Sequence, residues 1–191
     1  MYETHVTVRC GTEGERARLD GWAAERGLKV TTIVLARGRM PVQPMLTLPD
    51  RTGHPAVVAG LRAAGFEPVR VKVETVPWSE EPAGPGGGYY EHHLKLALPA
   101  AHDRAAIEAL VVPHGAHVSW NARRVLPGPG GRHERFVTQR HPGPADAAGR
   151  ACDGLLAALR SAGYEVVAEE REFVLCDSDL SVDEGWLEET A

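Results

Sequence analysis

Cysteine is scarce in this 191-residue sequence, and its placement excludes two classes of small protein. The three cysteines, Cys10, Cys152 and Cys176, are far apart and form no CxxC pair. Neither a zinc site nor a disulfide framework is therefore predicted, and reduced thiols in a cytoplasm are the simplest interpretation. We expect a cytoplasmic protein.

Long apolar runs are also lacking. No stretch approaches the ~18–20 apolar residues that a membrane-spanning helix needs. The N-terminus has no basic region followed by an apolar segment, so no signal peptide is predicted. We therefore expect no membrane partner.

An excess of positive charge is absent as well. The formal net charge is -5, which argues against a general nucleic-acid coat protein. RNA-binding sheets of the RRM type stack bases on exposed aromatic side chains, whereas the strand positions in question here carry Thr7 and Lys95. A nucleic-acid partner is not expected.

Three common catalytic motifs are missing. The sequence contains no GxGxxG after a strand, no GxxxxGK[ST] and no Gly-x-Ser-x-Gly. The glycines of residues 84–88 precede a strand rather than a helix, so they cannot hold phosphate as a P-loop does. Dinucleotide, P-loop and serine-hydrolase chemistry are thus not indicated.

What the sequence does contain is an internal repeat. The offset between the matching segments grows from 88 residues (His5 to His93) through 91 (Thr47 to Thr138) to 98 (Leu61 to Leu159). It grows only where loops are expected, as insertions into connections would make it do. The matching pairs are residues 2–8 with 90–96, 27–31 with 115–119, 45–47 with 136–138 and 61–67 with 159–165. Four ordered matches indicate a duplication.

Each repeat has the pattern of a βαββαβ unit. Apolar residues alternate over residues 2–10 and 69–73, and Thr12 with Glu15 forms a capping box for a helix. This order with short connections favours an α+β fold, a tandem duplication of ferredoxin-like βαββαβ units with antiparallel sheets. The two sheets could pack face to face or join at their edges, and the sequence pattern is compatible with both arrangements.

The repeats define the predicted domains. Residues 1–78 form the first unit and 89–176 the second. The Gly/Pro-rich residues 79–88 are predicted to be a flexible linker, and 177–191 an acidic C-terminal tail. The oligomeric state is left open.

Two histidines are the main candidates for chemistry. His5 and His93 occupy equivalent positions on the first strand of each repeat. Because side chains alternate along a strand, Glu3 and Thr7 share a face with His5, and Glu91 and Lys95 share a face with His93. An acid, an imidazole and a donor on one face suit acid–base catalysis or anion binding. The alternative is a solvated or interdomain sheet face on which each histidine is simply hydrogen-bonded.

Arginines provide a second candidate feature. They cluster in or beside the predicted hairpin of each repeat, at Arg37, Arg39, Arg123, Arg124 and Arg135. Guanidinium groups bind phosphate and carboxylate in a bidentate manner, so these residues are predicted to bind an anionic small molecule. Solvated arginines on exposed hairpins would give the same pattern.

A first short motif resembles that of two-histidine phosphoesterases. His5-Val6-Thr7-Val8 and His117-Val118-Ser119-Trp120 are both similar to their His-x-Thr/Ser-x motif. The resemblance implies His5 and His117 as acid and base, with Thr7 and Ser119 as phosphate donors. In the repeat, however, His117 aligns with Lys29 and His5 with His93.

A second motif resembles a strand of triphosphate-tunnel enzymes of the CYTH class. Glu91-His92-His93-Leu94-Lys95 is similar to their Glu-x-Glu-x-Lys pattern, with His93 in place of the middle acid. That resemblance implies a metal-bound polyphosphate held by arginines.

Two functions follow from these features. The first is binding, and hydrolysis of a phosphoesterase or phosphohydrolase type, of a phosphate-bearing small molecule between the repeats. His5 and His93 would be its catalytic groups, and Mg²⁺ is a candidate cofactor. The second is a non-enzymatic ligand-binding or protein-interaction module.

Overall fold

The computed structural model describes residues 1–99, 101–121, 125–126 and 132–186. Arg123 and Arg124 lie outside the described residues. The elements of residues 1–78, here called the first half, are β1 (Tyr2–Arg9), α1 (Glu13–Ala24), β2 (Lys29–Leu35), β3 (Val42–Leu48), α2 (His54–Ala63) and β4 (Glu67–Thr75). Those of residues 89–177, the second half, are β5 (Tyr89–Leu98), α3 (Arg104–Val111), β6 (Ala116–Asn121), β7 (Val125–Leu126), β8 (Arg132–His141), α4 (Ala145–Ser161) and β9 (Val166–Asp177).

The local signals in the sequence account for several of these boundaries. The Thr12 side chain accepts a hydrogen bond from the Glu15 N–H, and the Glu15 carboxylate accepts from the Thr12 N–H, so the predicted capping box is present. Pro55 lies in the first turn of α2, where its missing N–H costs nothing. In the second half, Asp103 caps α3 by accepting from the Ala106 N–H.

The strands form a closed antiparallel barrel. The first half has the strand order β4-β1-β3-β2, and the second has β9-β5-β8-β6. The halves join at two edges, where β4 pairs with β9 and β2 pairs with β6. The short β7 adds to the edge of β8. Of the two arrangements that the sequence left open, the sheets join edge to edge, and they do so on both sides.

The apolar cores lie outside the barrel, beneath the helices. In the first half Val6, Val8 and Leu61 belong to one buried cluster, and in the second half Leu94 and Leu159 belong to another. Residues of β1 and β5 that point away from these clusters face the barrel interior, because side chains alternate along a strand. The interior is therefore free to be polar.

The segment between the halves is hydrogen-bonded rather than loose. The N–H groups of Gly84 and Gly88 donate to carbonyls of β9, those of Leu175 and Val174. A Cβ at Gly87 would lie 2.2 Å from the Leu175 carbonyl oxygen, so a glycine is required for this close approach. The glycines predicted to make a flexible linker thus pack the segment against β9.

No helix in the described part of the chain is both long and apolar enough to cross a lipid bilayer.

Candidate functional site in the barrel interior

The barrel encloses a cavity of about 490 Å³. One side, here called the polar wall, is formed by β1, β4, β9 and β5, which are consecutive in the barrel. The opposite strands supply most of the apolar lining. The charged and imidazole side chains of the polar wall are Glu3, His5, Arg70, Lys72, Glu74, Glu91, His93, Lys95, Glu170 and Glu172. The apolar lining consists of Val30, Ile33, Leu35, Met45, Phe136 and Trp186. The cavity is therefore amphiphilic.

The first half positions its histidine between a threonine and a buried carboxylate. His5 Nδ1 lies 3.2 Å from Thr47 Oγ1, its cross-strand neighbour on β3. Its Nε2 lies 2.9 Å from Glu74 Oε2 and 3.9 Å from Glu3 Oε1. Contacts on both ring nitrogens fix the orientation of the imidazole.

The second half repeats this arrangement. His93 Nδ1 lies 3.0 Å from Thr138 Oγ1 on β8. Its Nε2 lies 3.4 Å from Glu172 Oε2 and 3.6 Å from Glu91 Oε2. His93 is thus held by one hydroxyl and two carboxylates, as His5 is.

The two sets of residues correspond position by position. The sequence offset of 88 relates Glu3 and His5 to Glu91 and His93, that of 91 relates Thr47 to Thr138, and that of 98 relates Glu74 to Glu172. The strand pairing agrees, because Glu3 pairs with Glu74 and Glu91 pairs with Glu172. Each half therefore places a Glu–His–Thr–Glu set on the polar wall.

The charges around the two sets differ. Lys72 Nζ lies 2.6 Å from Glu74 Oε1 and donates a hydrogen bond of 2.5 Å to Glu91. The equivalent residue of the second half is Glu170, also in the cavity lining. Lys72 accordingly pairs with one carboxylate of each set, and Glu170 places an additional acid beside the second.

These surroundings shift the pKa values of the acids and of His93. Burial raises the pKa of Glu3. Burial would also raise that of Glu91, but the positive charges of Lys72 and Arg140 hold the pKa of Glu91 well below its usual range. Burial opposes protonation of His93, yet its hydrogen bond to Glu172 and the charge of Glu91 raise its pKa. The polar wall thus holds both ionised carboxylates and a histidine that retains its proton more readily than usual.

A C-terminal segment, residues 180–186, covers one end of the barrel. The Asp183 carboxylate accepts hydrogen bonds from Arg70 (2.8 Å), Arg140 (2.7 Å) and Gln43 (3.1 Å), all within the barrel. Trp186 is buried. The first residues of the predicted acidic tail, from Asp177 to Trp186, therefore contribute buried groups to the cavity.

A tight turn in the first half helps to hold this segment. Gly38 has a φ of 110°, and a Cβ there would lie 3.0 Å from the Trp186 Cβ. The Arg39 N–H donates to the Glu184 carbonyl, and the Arg39 guanidinium donates to Ser181 Oγ at 2.6 Å. The hairpin arginine that was predicted to bind a ligand instead contacts the chain's own C-terminal segment.

Five of the predicted site residues line the cavity, namely Glu3, His5, Glu91, His93 and Lys95. Thr7 is 1% exposed and is not part of the lining. Arg37 and Arg39 do not line it either, and Arg135 packs over the Trp120 ring, 5.6 Å from its centroid. The structure therefore brings the two histidines and their acids together but not the three described arginines.

The phosphoesterase-type motifs also separate. Ser119 lines the cavity, whereas His117 is buried beside the Trp186 ring, 6.1 Å between centroids. Burial and the charge of Arg37 lower the pKa of His117 to about 4. His5 and His117 thus do not flank one site as an acid and base pair.

Five residues of the polar wall were missed in the sequence analysis: Arg70, Lys72, Glu74, Glu170 and Glu172. The alternation of Val69, Val71 and Val73 predicts the strand β4. It highlights the apolar residues on the outer face of β4 and not the ionisable residues on its inner face. The offset of 98 that relates Leu61 to Leu159 also carries Glu74 onto Glu172, so extending the repeat to the last strands would have found this pair.

The fold and the cavity together define a class: a closed antiparallel α+β barrel with helices outside and ionisable groups inside. No protein-family model matches this sequence, and no curated protein matches it. Among solved structures, the acetolactate synthase small subunit from Thermotoga maritima is similar, with a TM-score of 0.37, 11% identity and coverage of 93% of this chain and 96% of that one. The regulatory subunit of aspartate kinase from Thermus thermophilus gives a TM-score of 0.35 and 16% identity, with coverage of 82% and 91%. Neither TM-score is high enough to assign a function.

Proposed function

We propose that the barrel cavity binds a small organic molecule with an apolar body and a hydrogen-bonding or cationic end. The observation that carries this proposal is the division of the lining into an apolar side and a polar wall with two equivalent Glu–His–Thr–Glu sets. A cavity of about 490 Å³ is within the usual range for small-molecule sites. The apolar body would contact Met45 and Phe136, and the polar end would reach His93.

The balance of charge supports a cationic or neutral polar end. Six carboxylates and four basic side chains are found in the described lining. Arg70 and Lys72 already contact buried carboxylates, Arg70 those of Asp177 and Asp183. The basic groups are therefore partly committed to ion pairs, and an incoming anion would have to displace them.

The histidine–carboxylate pairs could also serve as acid–base groups. His93 and Glu172 form a pair from which a proton could pass to a substrate atom in the cavity, and His5 with Glu74 forms its counterpart. A general acid needs a proton at the working pH, and the raised pKa of His93 favours this role. Enzymatic turnover would then depend on His93 more than on His5.

A phosphate-bearing ligand is the second candidate, as expected from the sequence. Lys29 and Lys95 line the cavity, and the Lys95 ammonium lies 5.4 Å from the centroid of the Phe136 ring. These two lysines, rather than the hairpin arginines, would then hold the anion. Hydrolysis of such a ligand would use His5 and His93.

We also propose that the two halves are duplicated ferredoxin-like units. The shared strand order and the equivalence of the two Glu–His–Thr–Glu sets support this origin. A protein-interaction module that uses open sheet edges has less support, because β4, β9, β2 and β6 pair with one another in the barrel.

A thermal-shift panel of organic amines, neutral amphiphiles and phosphorylated metabolites tests the proposal. A ligand at 100 times its Kd adds about 2.7 kcal/mol, which corresponds to several degrees in Tm. We expect amines or neutral amphiphiles to shift the Tm of the wild type and to lose that effect in Phe136→Ala and His93→Gln. The matched control is Arg150→Gln, on the exposed surface of α4 and outside the lining.

The three ligand classes separate the two candidates. A shift with phosphorylated compounds alone, abolished by Lys95→Gln, would replace the first candidate by the second. No shift with any class would overturn the proposal that the cavity binds a small molecule.

A further inference from the structure

Three groups of the polar wall have the composition and spacing of a metal site. Glu74, His93 and Glu172 each offer one ligand atom, and these atoms all lie within 4.8 Å of one another. The residues come from β4, β5 and β9, three consecutive strands of the barrel. A closed sheet is rigid, so the three groups are held close together without help from a loop.

The spacing is near that of a loaded site. Imidazole nitrogen and carboxylate oxygen bind divalent transition metals at about 2.0–2.2 Å, so two ligand atoms of one ion lie at most about 4.4 Å apart. The His93 Nε2 and Glu172 Oε2 atoms, at 3.4 Å, are already within this limit. Small side-chain rotations would bring the third ligand atom into range.

The Glu74 carboxylate is a second, independent indication. It is 1% exposed and lines the cavity. Lys72 and His5 approach its two oxygens at 2.6 and 2.9 Å, but neither oxygen makes an aligned hydrogen bond within the described residues. The carboxylate is therefore ion-paired but keeps lone pairs that no aligned donor uses, and a metal ion could bind through one of them.

The surroundings are also suited to a cation. Glu3 and Glu170 add negative charge to the same wall, and the positive charge of Lys72 beside the site is paired with both Glu74 and Glu91. Thr138 Oγ1 lies 3.0 Å from His93 Nδ1, so a hydrogen bond there would leave Nε2 for the metal, as outer-shell partners of metal-bound histidines do.

We propose that Glu74, His93 and Glu172 bind one divalent transition-metal ion, with its remaining coordination positions open to the cavity. His5 would act as an outer partner that positions Glu74. One imidazole with two carboxylates suits Mn²⁺, Fe²⁺, Co²⁺ or Zn²⁺ better than Mg²⁺, which prefers oxygen ligands alone. This site does not depend on the organic ligand proposed above, since its ligands are all side chains of this chain. A metal ion on His93 Nε2 replaces the proton that general-acid catalysis would use, so the two roles of His93 are alternatives.

Metal binding to the full chain tests the proposal directly. The chain is stripped with EDTA and dialysed against MnCl₂, ZnCl₂ or MgCl₂, and bound metal is then measured by mass spectrometry and by titration calorimetry. We expect one Mn²⁺ or Zn²⁺ per chain, removable by EDTA, and weaker binding of Mg²⁺. These probes leave organic ligands out, so the outcome is separable from that of the thermal-shift panel.

Two ligand variants and two controls locate the ion. His93→Gln and Glu172→Gln should each weaken binding by at least the ~10–100-fold that is typical when an outer-shell partner is lost. Both positions are partly exposed, so these variants should fold, and circular dichroism checks this. Glu170→Gln, on the same wall but outside the three ligands, should change affinity only a few-fold, and His5→Gln should have an intermediate effect.

Three results would overturn the proposal. They are the absence of stoichiometric binding of Mn²⁺ and Zn²⁺, unchanged binding in both ligand variants, and Mg²⁺ affinity equal to that for Zn²⁺. The second would place the ion elsewhere in the chain, and the third would exclude imidazole as a ligand.

Discussion

The first half and the second half carry the same Glu–His–Thr–Glu set in different electrostatic surroundings. In the first half, Lys72 lies against the carboxylate that contacts His5. The same lysine also pairs with Glu91 of the second set, whose other basic partner is Arg140. The equivalent of Lys72 in the second half is Glu170, so the second set has an additional acid beside it.

The contrast shows how equivalent residues can take on separate roles. The backbone register preserves the position of each histidine, while single substitutions on β4 and β9 change the field around it. Arg70 is another such difference, because its counterpart in the second half is Ala168. We infer that Arg70 and Lys72 of the first half neutralise buried acids of the barrel interior, while the metal site proposed above takes ligands from both halves.

Replacing Arg70 should have the largest effect on stability. Arg70 is 4% exposed, and its guanidinium contacts Asp177 and Asp183. Arg70→Ala gives the first half the residue that the second half already has, but it removes a guanidinium partner from two buried carboxylates, Asp177 and Asp183. We expect a loss of about 3–5 kcal/mol in the free energy of unfolding, measured by urea denaturation.

An exposed ion pair provides the control for that experiment. Arg150 contacts Asp146 at 2.9 Å on the surface of α4. Arg150→Ala should cost no more than about 1 kcal/mol. Equal losses in the two variants would show that the buried network does not stabilise the barrel.

The two outer cores can be compared with a matched pair of leucines. Leu61 and Leu159 are equivalent in the repeat, and both are fully buried. Each change to alanine should lower the free energy of unfolding by about 2–5 kcal/mol. The loss should be larger for Leu159→Ala, because the second core contains more buried residues and can relax less around a cavity. A larger loss for Leu61→Ala in the same denaturation experiment would contradict this comparison.

His117 and its counterpart Lys29 should differ in how they link stability to pH. Lys29 is exposed, whereas burial and the Arg37 charge lower the pKa of His117 to about 4. The folded state therefore favours the neutral imidazole, and the unfolded chain takes up the proton first as the pH falls below about 6.5. The neutral His117 should thus stabilise the folded state above that pH. Its contribution to the free energy of unfolding should fall by roughly 3 kcal/mol between pH 6.5 and 4.

The variant His117→Phe isolates this contribution. It keeps an aromatic ring beside Trp186 but cannot be protonated. The difference in unfolding free energy between wild type and variant should therefore change across pH 6.5 to 4, with the wild type losing more. A constant difference across that range would show that His117 is not the group responsible.

The smallest effect expected concerns the two threonines. Thr47→Val and Thr138→Val each remove a hydroxyl within hydrogen-bond distance of a histidine Nδ1. Each should cost about 0.5–1.5 kcal/mol. Imidazole nitrogen NMR should show that the histidine of the altered half changes its tautomer balance while the other does not. A change at both histidines would mean that the two sets are coupled.

The sequence was sufficient to predict where the histidines would lie. The offset of 88 placed His5 and His93 at equivalent positions, and alternation along each strand separated them from Val6 and Leu94. Both rules rest on comparing short segments of the sequence, so neither needs the long-range contacts of the fold. The α+β class with antiparallel strands followed from the same patterns.

Closure of the barrel could not be predicted in the same way. The β4–β9 and β2–β6 pairings are made by backbone groups, which have no side-chain signature. The hydrogen bond of Arg70 to Asp177 joins residues 107 positions apart, and no pattern in the neighbouring residues predicts such a distant partner. The contact of the hairpin residue Arg39 with Ser181, 142 positions away, has no local signal either, and ligand binding by the hairpin arginines stays a prediction.

The most direct test of the metal site between the halves is an anomalous-scattering map from a crystal of the wild-type chain grown with Mn²⁺. We predict one peak in the cavity, bounded by Glu74, His93 and Glu172. A peak between Glu3 and His5, or no peak in the cavity at all, would contradict the assignment of the metal to these three residues.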